Sequence, residues 1–568
     1  MKSKSYNLSG LLESSGDMKY IIKTPRLQRL AWDSSDSRII KDSFDTTKSA
    51  CCFIRFVAGK ARVITLSTTG EYRVDSCPAG GWLLTPAEKE KDTYWIPQPP
   101  ILRQIDGQGH VLSEQRPEIS EFNATSRSLS VNINIAENKQ LDLVIWRIPP
   151  NETDLISSLS SLSNSESQPI FLWGSHTTYQ KQADVYLHLI HGHIYENRFV
   201  WPFNYKICSE HDAHALFVTL SGFEKATGKK IYSLLKEQLI LSVIARQGED
   251  GGWRHGEWTK NMESHYRFQC SGMHMLMDSL CEKDDEFIQE ALKKAATFIA
   301  GKRSSIKSGV WFLHDDTEHS IESLKQIPFK WVPSKALGKS KSNTLVLNTH
   351  LDTLIALDRY GAITGDKQYS EIITSARAAA KTVLELHPAD WLYRPLFRAI
   401  GLTLLPTEVA KKLPLPVRAI KRLAWKCFIP WLYIIKSMFP RIVMPGGYID
   451  RALSLKGLAD DYHSVNLMDI ARYKRRFPDD INDEMIENAV NFVEKNNILE
   501  YWAAQKGRKY ALGFWAEALY HLNTLYPDAK YRGMLDRTVA DLEDIGLGKP
   551  PSLLGANAEA RVFKGAAK

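Results

Sequence analysis

The sequence predicts an α+β chain of two parts: an N-terminal β-sandwich-like domain, then an (α/α) toroid or barrel that carries a basic, membrane-interfacial helical insertion. Three observations point there. Up to about residue 150 apolar residues alternate with a period of two, and from about His211 they recur at helical spacing. Between Pro388 and Arg441 the chain becomes basic and aromatic. At 568 residues, 43% hydrophobic and 24% charged, it has the length for two or three cores and the composition of a soluble globular protein.

In chain order, residues 1–156 read as the β-rich part. "LSVNINI", the turn "AENKQ" and "LDLVIWRI" have the pattern of a hairpin, and "CCFIRFVAGKARVITLSTTGEYRV" is built similarly. The serine tract at 157–169, "SSLSSLSNSESQP", has the composition of a flexible linker, and 170–208 bridges to the next part. Residues 209–545 supply successive helical segments separated by Gly or Asp-Asp breaks. These suit paired antiparallel helices closing into a toroid, and the absence of a fixed-period repeat disfavours a solenoid. The end, 546–568, reads as a flexible tail.

The insertion at 388–441 holds ten basic residues against Asp390 and Glu408, an excess equal to the whole chain's net charge of +8. A nucleic-acid binder would spread its cations over a folded face, so no nucleic-acid partner is expected. Neither apolar run in the insertion reaches the roughly 20 residues needed to cross a bilayer. Trp, Tyr, Phe and Leu mixed with Arg and Lys instead suit helices lying on an anionic leaflet. The start, "MKSKSYNLSGLLESSGD", lacks a secretory h-region, and the seven cysteines form no CxxC pair. Both features lead to the expectation of a cytoplasmic protein, peripheral on the inner face of the cell membrane. The sequence leaves the oligomeric state open.

Four loop-to-helix junctions concentrate polar and aromatic groups. The first contains Trp253, Arg254, Glu257, Glu263, His265, Tyr266 and Arg267; the second His314, Asp315, Asp316, Glu318 and His319. The third, "NTHLDT", contains His350 and Asp352, and the fourth, "GGYIDRALSLKGLADDYHSVN", contains Tyr448, Arg451, Asp461, Tyr462 and His463. Singly, each has an ordinary structural explanation: Asp461 a helix cap, His350 a hydrogen-bonded core histidine, Trp253 a packed indole at a turn. Four on one helical domain predict a polar cleft at a shared rim. No HExxH spacing is present, so no metal and no cofactor is assigned.

"GLADDYHSVNLMDI", with "GGYIDR" and "VLNTHLDTLIALDRYGAITGDKQY", resembles the glucuronyl C5-epimerases over roughly residues 248–476. The family pattern differs at Asp460, where it has tryptophan, and at Asn466, where it has a second histidine. The resemblance implies catalytic roles for Tyr462 and Tyr448, with a carboxylate from the acidic loop, Glu318 or Asp316, and with His463 as partner to Tyr462 or sugar contact. Arg267, Tyr266, His265, His350, Asp352, Arg451, Trp253 and Asp461 would bind substrate. The chemistry needs two weak acids on opposite faces of the sugar and a cation for the carboxylate, because the intermediate is an enolate-like dianion.

The expected function is therefore a uronate C5-epimerase of bacterial-type surface polysaccharide synthesis, acting on a polysaccharide or lipid-linked oligosaccharide. The alternatives are a polysaccharide lyase, a hydrolase using a pair such as Asp316 and Asp352, and a non-catalytic glycan- or membrane-binding factor of an assembly complex.

Overall fold

A computed structural model describes residues 2–13, 18–24, 26–34, 36–57, 62–117, 122–125, 128–131, 133–135 and 138–554. It has an N-terminal antiparallel β domain followed by a helical domain. The chain divides into two compact units, Met1–Gln247 and Gly248–Leu553.

In the first unit, six strands carry the argument: β1 (Lys2–Asn7), β2 (Ser37–Phe44), β3 (Ala50–Val57), β4 (Arg62–Ser67), β5 (Ile133–Ile135) and β6 (Gln140–Ile148). The main sheet has ten strands, with β3 between β2 and β6 at its centre; a smaller sheet runs β1-β4-β5. Ile64, Leu66 and Ile135 from the small sheet meet Cys52, Ile54, Phe56, Leu141, Leu143 and Ile145 from the large one in a single core, which makes the pair a sandwich. The far face of β3 and β6 is covered too. Phe53 packs against Tyr186, whose hydroxyl accepts from Trp146 Nε1 at 2.6 Å and donates to Gln238 at 2.8 Å. Burial on both faces explains why "CCFIRFV" and "LDLVIW" are nearly continuous apolar runs.

Three expectations fail here. "LSVNINI" and "LDLVIWRI" do not pair with each other: β5 pairs with β4, and β6 with β3. Likewise β3 and β4, expected around one turn, lie in different sheets. Alternation identifies a strand and its buried face but not its partner, and here strands consecutive in the chain belong to different sheets. The serine tract is also not a loose linker. Thr153–Ser160 is a helix with Leu155 and Leu159 fully buried. Beyond it, buried Glu166 accepts from Ser163 N and Oγ (both 2.7 Å), Lys229 Nζ (2.8 Å) and Tyr232. A low-complexity composition does not preclude order once two leucines and one carboxylate find partners. The same unit contains the helical pair α1 (Glu210–Thr227) and α2 (Lys230–Ile244).

The second unit is built on four helical hairpins: α3 (Tyr266–Glu282) with α4 (Glu286–Gly301), α5 (Leu347–Thr364) with α6 (Ser370–Leu384), α10 (Tyr462–Arg476) with α11 (Asp483–Lys495), and α12 (Tyr510–Leu525) with α13 (Ala529–Asp544). The insertion lies between the second and third and comprises α7 (Asp390–Gly401), Thr407–Lys411, α8 (Leu415–Leu423), a wider turn at Ala424–Phe428, and α9 (Ile429–Met438). The first members pack on one another in chain order, α3 on α5, α5 on α10 and α10 on α12. They are buried nearly all round, whereas their partners bury one stripe: α4 covers Ile288, Leu292, Ala295 and Ile299 and exposes its charged side. Tail residues Pro551 and Ser552 are buried, in a short turn that ends at Leu554.

Candidate functional site

Polar residues on helices buried all round must find partners inside, and most of the predicted site residues do so. Arg267 on α3 reaches Asp352 on α5 (3.2 Å) and Asp469 on α10 (2.9 Å). Arg472 reaches the same two acids at 2.8 and 2.9 Å. His274 Nε2 lies 3.0 Å from Asp352, while its Nδ1 accepts from Arg359, which also binds Asp278 at 2.6 Å. Burial opposes ionisation of Asp352, but Arg267 and Arg472 outweigh it and hold the carboxyl below the usual range. Burial pushes Asp469 up to about 6 against the same two arginines. Arg267 and Asp352, expected to bind substrate, thus form a buried ionic clamp across three helices, and Asp352 is not available to pair with Asp316 as a hydrolase would require.

His350 and His463, on different hairpins, do the same job. Nδ1 accepts a backbone N–H of the segment beside its hairpin, from Phe312 to His350 and from Ile449 to His463, both at 3.0 Å. Nε2 then donates to a carbonyl of the following helix, Ala376 (3.2 Å) or Ala489 (3.0 Å). An aromatic ring stacks on each: Trp311 on His350 at 3.8 Å, Tyr448 on His463 at 5.7 Å. Gly309 and Gly447 lie at the start of these two segments with positive φ, and a Cβ on either would collide with a helix carbonyl, Ser375 or Asn488. Each segment is thereby stapled to its hairpin, and both ring nitrogens of His463 are engaged there rather than by Tyr462. Burial lowers His350 to about 3 and His463 to about 4.

A stability prediction follows. His463→Ala should cost about 2–3 kcal/mol at pH 7, since it orphans a buried N–H and a buried C=O and leaves a void. The folded pKa lies below the unfolded value, so the unfolded state binds the extra proton and the histidine's contribution is lost as pH falls from about 6.5 to about 4. Denaturant melts of both proteins should show their gap shrinking by about 2 kcal/mol between pH 7 and pH 5. A gap independent of pH would contradict the neutral staple.

Tyr448 is corrected on the same grounds. It is 1% exposed, packed on Phe397, His463 and Phe492, with its hydroxyl donating to Asp450 at 3.2 Å. Burial first, then the Asp450 charge, pushes its pKa well above the ordinary value. Trp253 is fully buried, and its carbonyl accepts from Ser264 Oγ and Gln269 Nε2, both at 2.6 Å. Glu318 is raised by burial and has both oxygens occupied, accepting from His314 N at 2.7 Å and from Thr344 N at 2.8 Å. Burial and then the Glu318 charge raise neighbouring Asp315 well above the usual carboxylate range. Asp316, only half-buried, accepts from buried Tyr266 (2.6 Å) and from Lys302 (3.0 Å), in a cluster of its own with His319.

What remains open lies at the starts of α10 and α12. The strand-like segment before α10 is pinned between two others: Val346 bridges Ala452, Trp331 bridges Leu455, and Leu347 N donates to Arg451 O at 3.1 Å. That fixes Arg451, 3% exposed, with its guanidinium 4.1 Å from the centre of the half-exposed Tyr462 ring. Phe329 and Trp331 stand 5.1 and 5.8 Å away. Arg451 donates to His314 Nε2 at 3.2 Å, which requires a neutral imidazole; burial and then the arginine's charge lower His314 well below its usual range, and its Nδ1 meets Thr349 Oγ1 at 2.7 Å. His265 meets the His314 ring edge-on at 4.4 Å.

Among the described residues no carboxylate lies within ion-pair distance of Arg451, and its Nε has no hydrogen-bond partner. The rim beside it is formed by Asp461, which does not cap α10 as expected but binds Arg508 at 2.8 Å and accepts from Tyr510. Sequence reading therefore found Arg451, Tyr462 and Asp461 and placed His314 at the shared rim without a role, but passed over Trp331 and Tyr510. A tryptophan among lysines and prolines in "PFKWVPSK" was the one signal for Trp331, and nothing local marked Tyr510.

No family model and no curated protein sequence matches the chain. Among solved structures, similarity is found to a polysaccharide lyase at 9% identity, covering 90% of this chain and 80% of the other, with a TM-score of 0.27. A family GH92 α-mannosidase from Bacteroides thetaiotaomicron in complex with mannoimidazole matches at 9% identity, covering 94% and 68%, with a TM-score of 0.28. TM-scores this low do not establish a shared fold, and neither protein's activity transfers to this chain.

Proposed function

We propose that this chain is an enzyme acting on a uronate-containing glycan, with Tyr462 removing the proton next to the sugar carboxylate and Arg451 binding that carboxylate. One observation carries the reading: a buried guanidinium without a carboxylate partner, beside a tyrosine at a half-open mouth. Burying an unpaired cation is costly, and an anionic ligand supplies the missing charge. Phe329, Trp331 and Tyr510 offer flat apolar faces at the same mouth, suited to a sugar ring. A guanidinium matches a carboxylate in shape as well as charge and is placed to neutralise the enolate-like intermediate.

Tyr448 is too buried to serve as the group on the opposite face. With the Tyr510 hydroxyl engaged by Asp461, Tyr462 is the single acid/base group at the mouth and β-elimination is the reaction favoured: the same oxygen takes the C5 proton and hands a proton to the leaving C4 oxygen, leaving a C4–C5 double bond. Epimerisation, the expectation from the resemblance, needs a second donor. Tyr510 is the candidate, since it lies close enough for the charge of Tyr462 to bear on its own ionisation.

Incubation with uronate glycans in deuterated water, followed by mass spectrometry, separates these outcomes. An unsaturated product is expected. Solvent deuterium in an intact chain would move the assignment to epimerase, and a new reducing end without unsaturation would mean hydrolysis. An unchanged glycan across a panel of uronate polymers would overturn the proposal.

A further inference from the structure

The insertion presents a surface that the site does not use. Helices α7, α8 and the turn Ala424–Phe428 pack together as one body, continued by α9. It is tied down by Lys436 on α9, which is fully buried and bonds Asp450 at 2.7 Å and the Ala452 carbonyl at 2.6 Å. Asp450 in turn accepts from Arg451 N at 2.9 Å, so the body is anchored one residue from the candidate site.

Its outer face breaks the usual rule for amphipathic helices. At 100° per residue, α8 places Leu415, Ala419, Leu423 and Ile420 on one side and Arg418, Lys421 and Arg422 on the other. Such a stripe normally covers a core, yet no residue of α8 is buried, and Leu415 is 73% exposed. Trp391, Trp425 and Trp431, at 75%, 64% and 60% exposure, belong to the same body. The two acids are already engaged, Asp390 by Arg441 and Arg394, and Glu408 by Lys411. Arg398, Lys412, Arg418, Arg422 and Lys426 have no acidic partner among the described residues.

We infer that this face docks on an anionic lipid bilayer, with the Trp and Leu side chains entering the headgroup–acyl boundary and the arginines and lysines meeting lipid phosphates. Charge complementarity selects the partner. A nucleic acid would answer the cations but leave three tryptophans and a leucine ridge wet, whereas an anionic leaflet satisfies both at once. Among the described residues no helix is long and apolar enough to cross a membrane, so the chain would lie on the surface by this element. Bilayer docking stands or falls separately from the proposed activity.

The test is co-sedimentation of the full chain with vesicles of phosphatidylcholine alone and with added phosphatidylglycerol. Binding should require the anionic lipid and weaken with salt. Each cation contributes about fivefold to partitioning, so the combined variant Arg418→Glu, Arg422→Glu, Lys426→Glu should lose at least about 100-fold. Leu415→Ser with Trp425→Ser should also release the protein, and because these side chains are exposed both variants should melt like the parent. Failure of the parent to pellet with anionic vesicles, or equal pelleting by the charge-reversed variant, would overturn the inference. So would self-association through this face without vesicle binding, which would assign it to a second copy.

Discussion

Tyr462→Phe is expected to lower turnover on a uronate glycan by about 100-fold or more while leaving the fold unchanged. The ring stays, and with it the 4.1 Å contact to the Arg451 guanidinium; only the hydroxyl is lost, from a half-exposed side chain in the first turn of α10. A group that moves a proton in the transition state contributes roughly this factor to the rate. The informative control is Tyr448→Phe. That hydroxyl is buried and bonded to Asp450, so its removal should cost about 1 kcal/mol of stability and spare turnover. Side-by-side melting curves and single-turnover rates distinguish the two tyrosines. Full activity of the Tyr462 variant would remove it from the mechanism, and a rate collapse in the Tyr448 variant without unfolding would restore the two-tyrosine scheme.

The largest stability effect is expected from Asp352→Ala, about 3–5 kcal/mol. Truncation takes a shared carboxylate from both Arg267 and Arg472 and deprives His274 of the acceptor that orients it. The loss reflects uncompensated buried charge more than the net strength of the original pairs. The clamp joins α3, α5 and α10, so hydrogen exchange in all three helices should speed up together. Activity measured well below the lowered melting point should survive, because the clamp holds the helices and has no open face. A variant as stable as the parent would refute the clamp, and one that is folded and inactive would show that Asp352 acts at the site.

Much of this architecture could be read locally. A change of period from two to helical spacing separates strands from helices because each backbone repeat dictates which side chains share a face. The basic insertion was equally legible: ten cations and several tryptophans in one short stretch cannot all be buried, and most of them are exposed. At the site, Arg451 and Tyr462 could be picked out by their neighbourhood in the chain.

Partnership was not legible. A histidine that staples a segment to its hairpin and one that meets a substrate look alike in sequence. His350 and His463 became structural only through Ala376 and Ala489, residues on the next helix that local pattern does not mark. The same holds for Arg267 and Arg451. Both are buried arginines at loop-to-helix junctions, yet one faces two aspartates from distant helices and the other faces none. Residue type and spacing determined the elements and the chemical inventory. Tertiary packing decided which charges are already neutralised and which still lack a partner, because neutralisation depends on distances across the fold rather than along the chain.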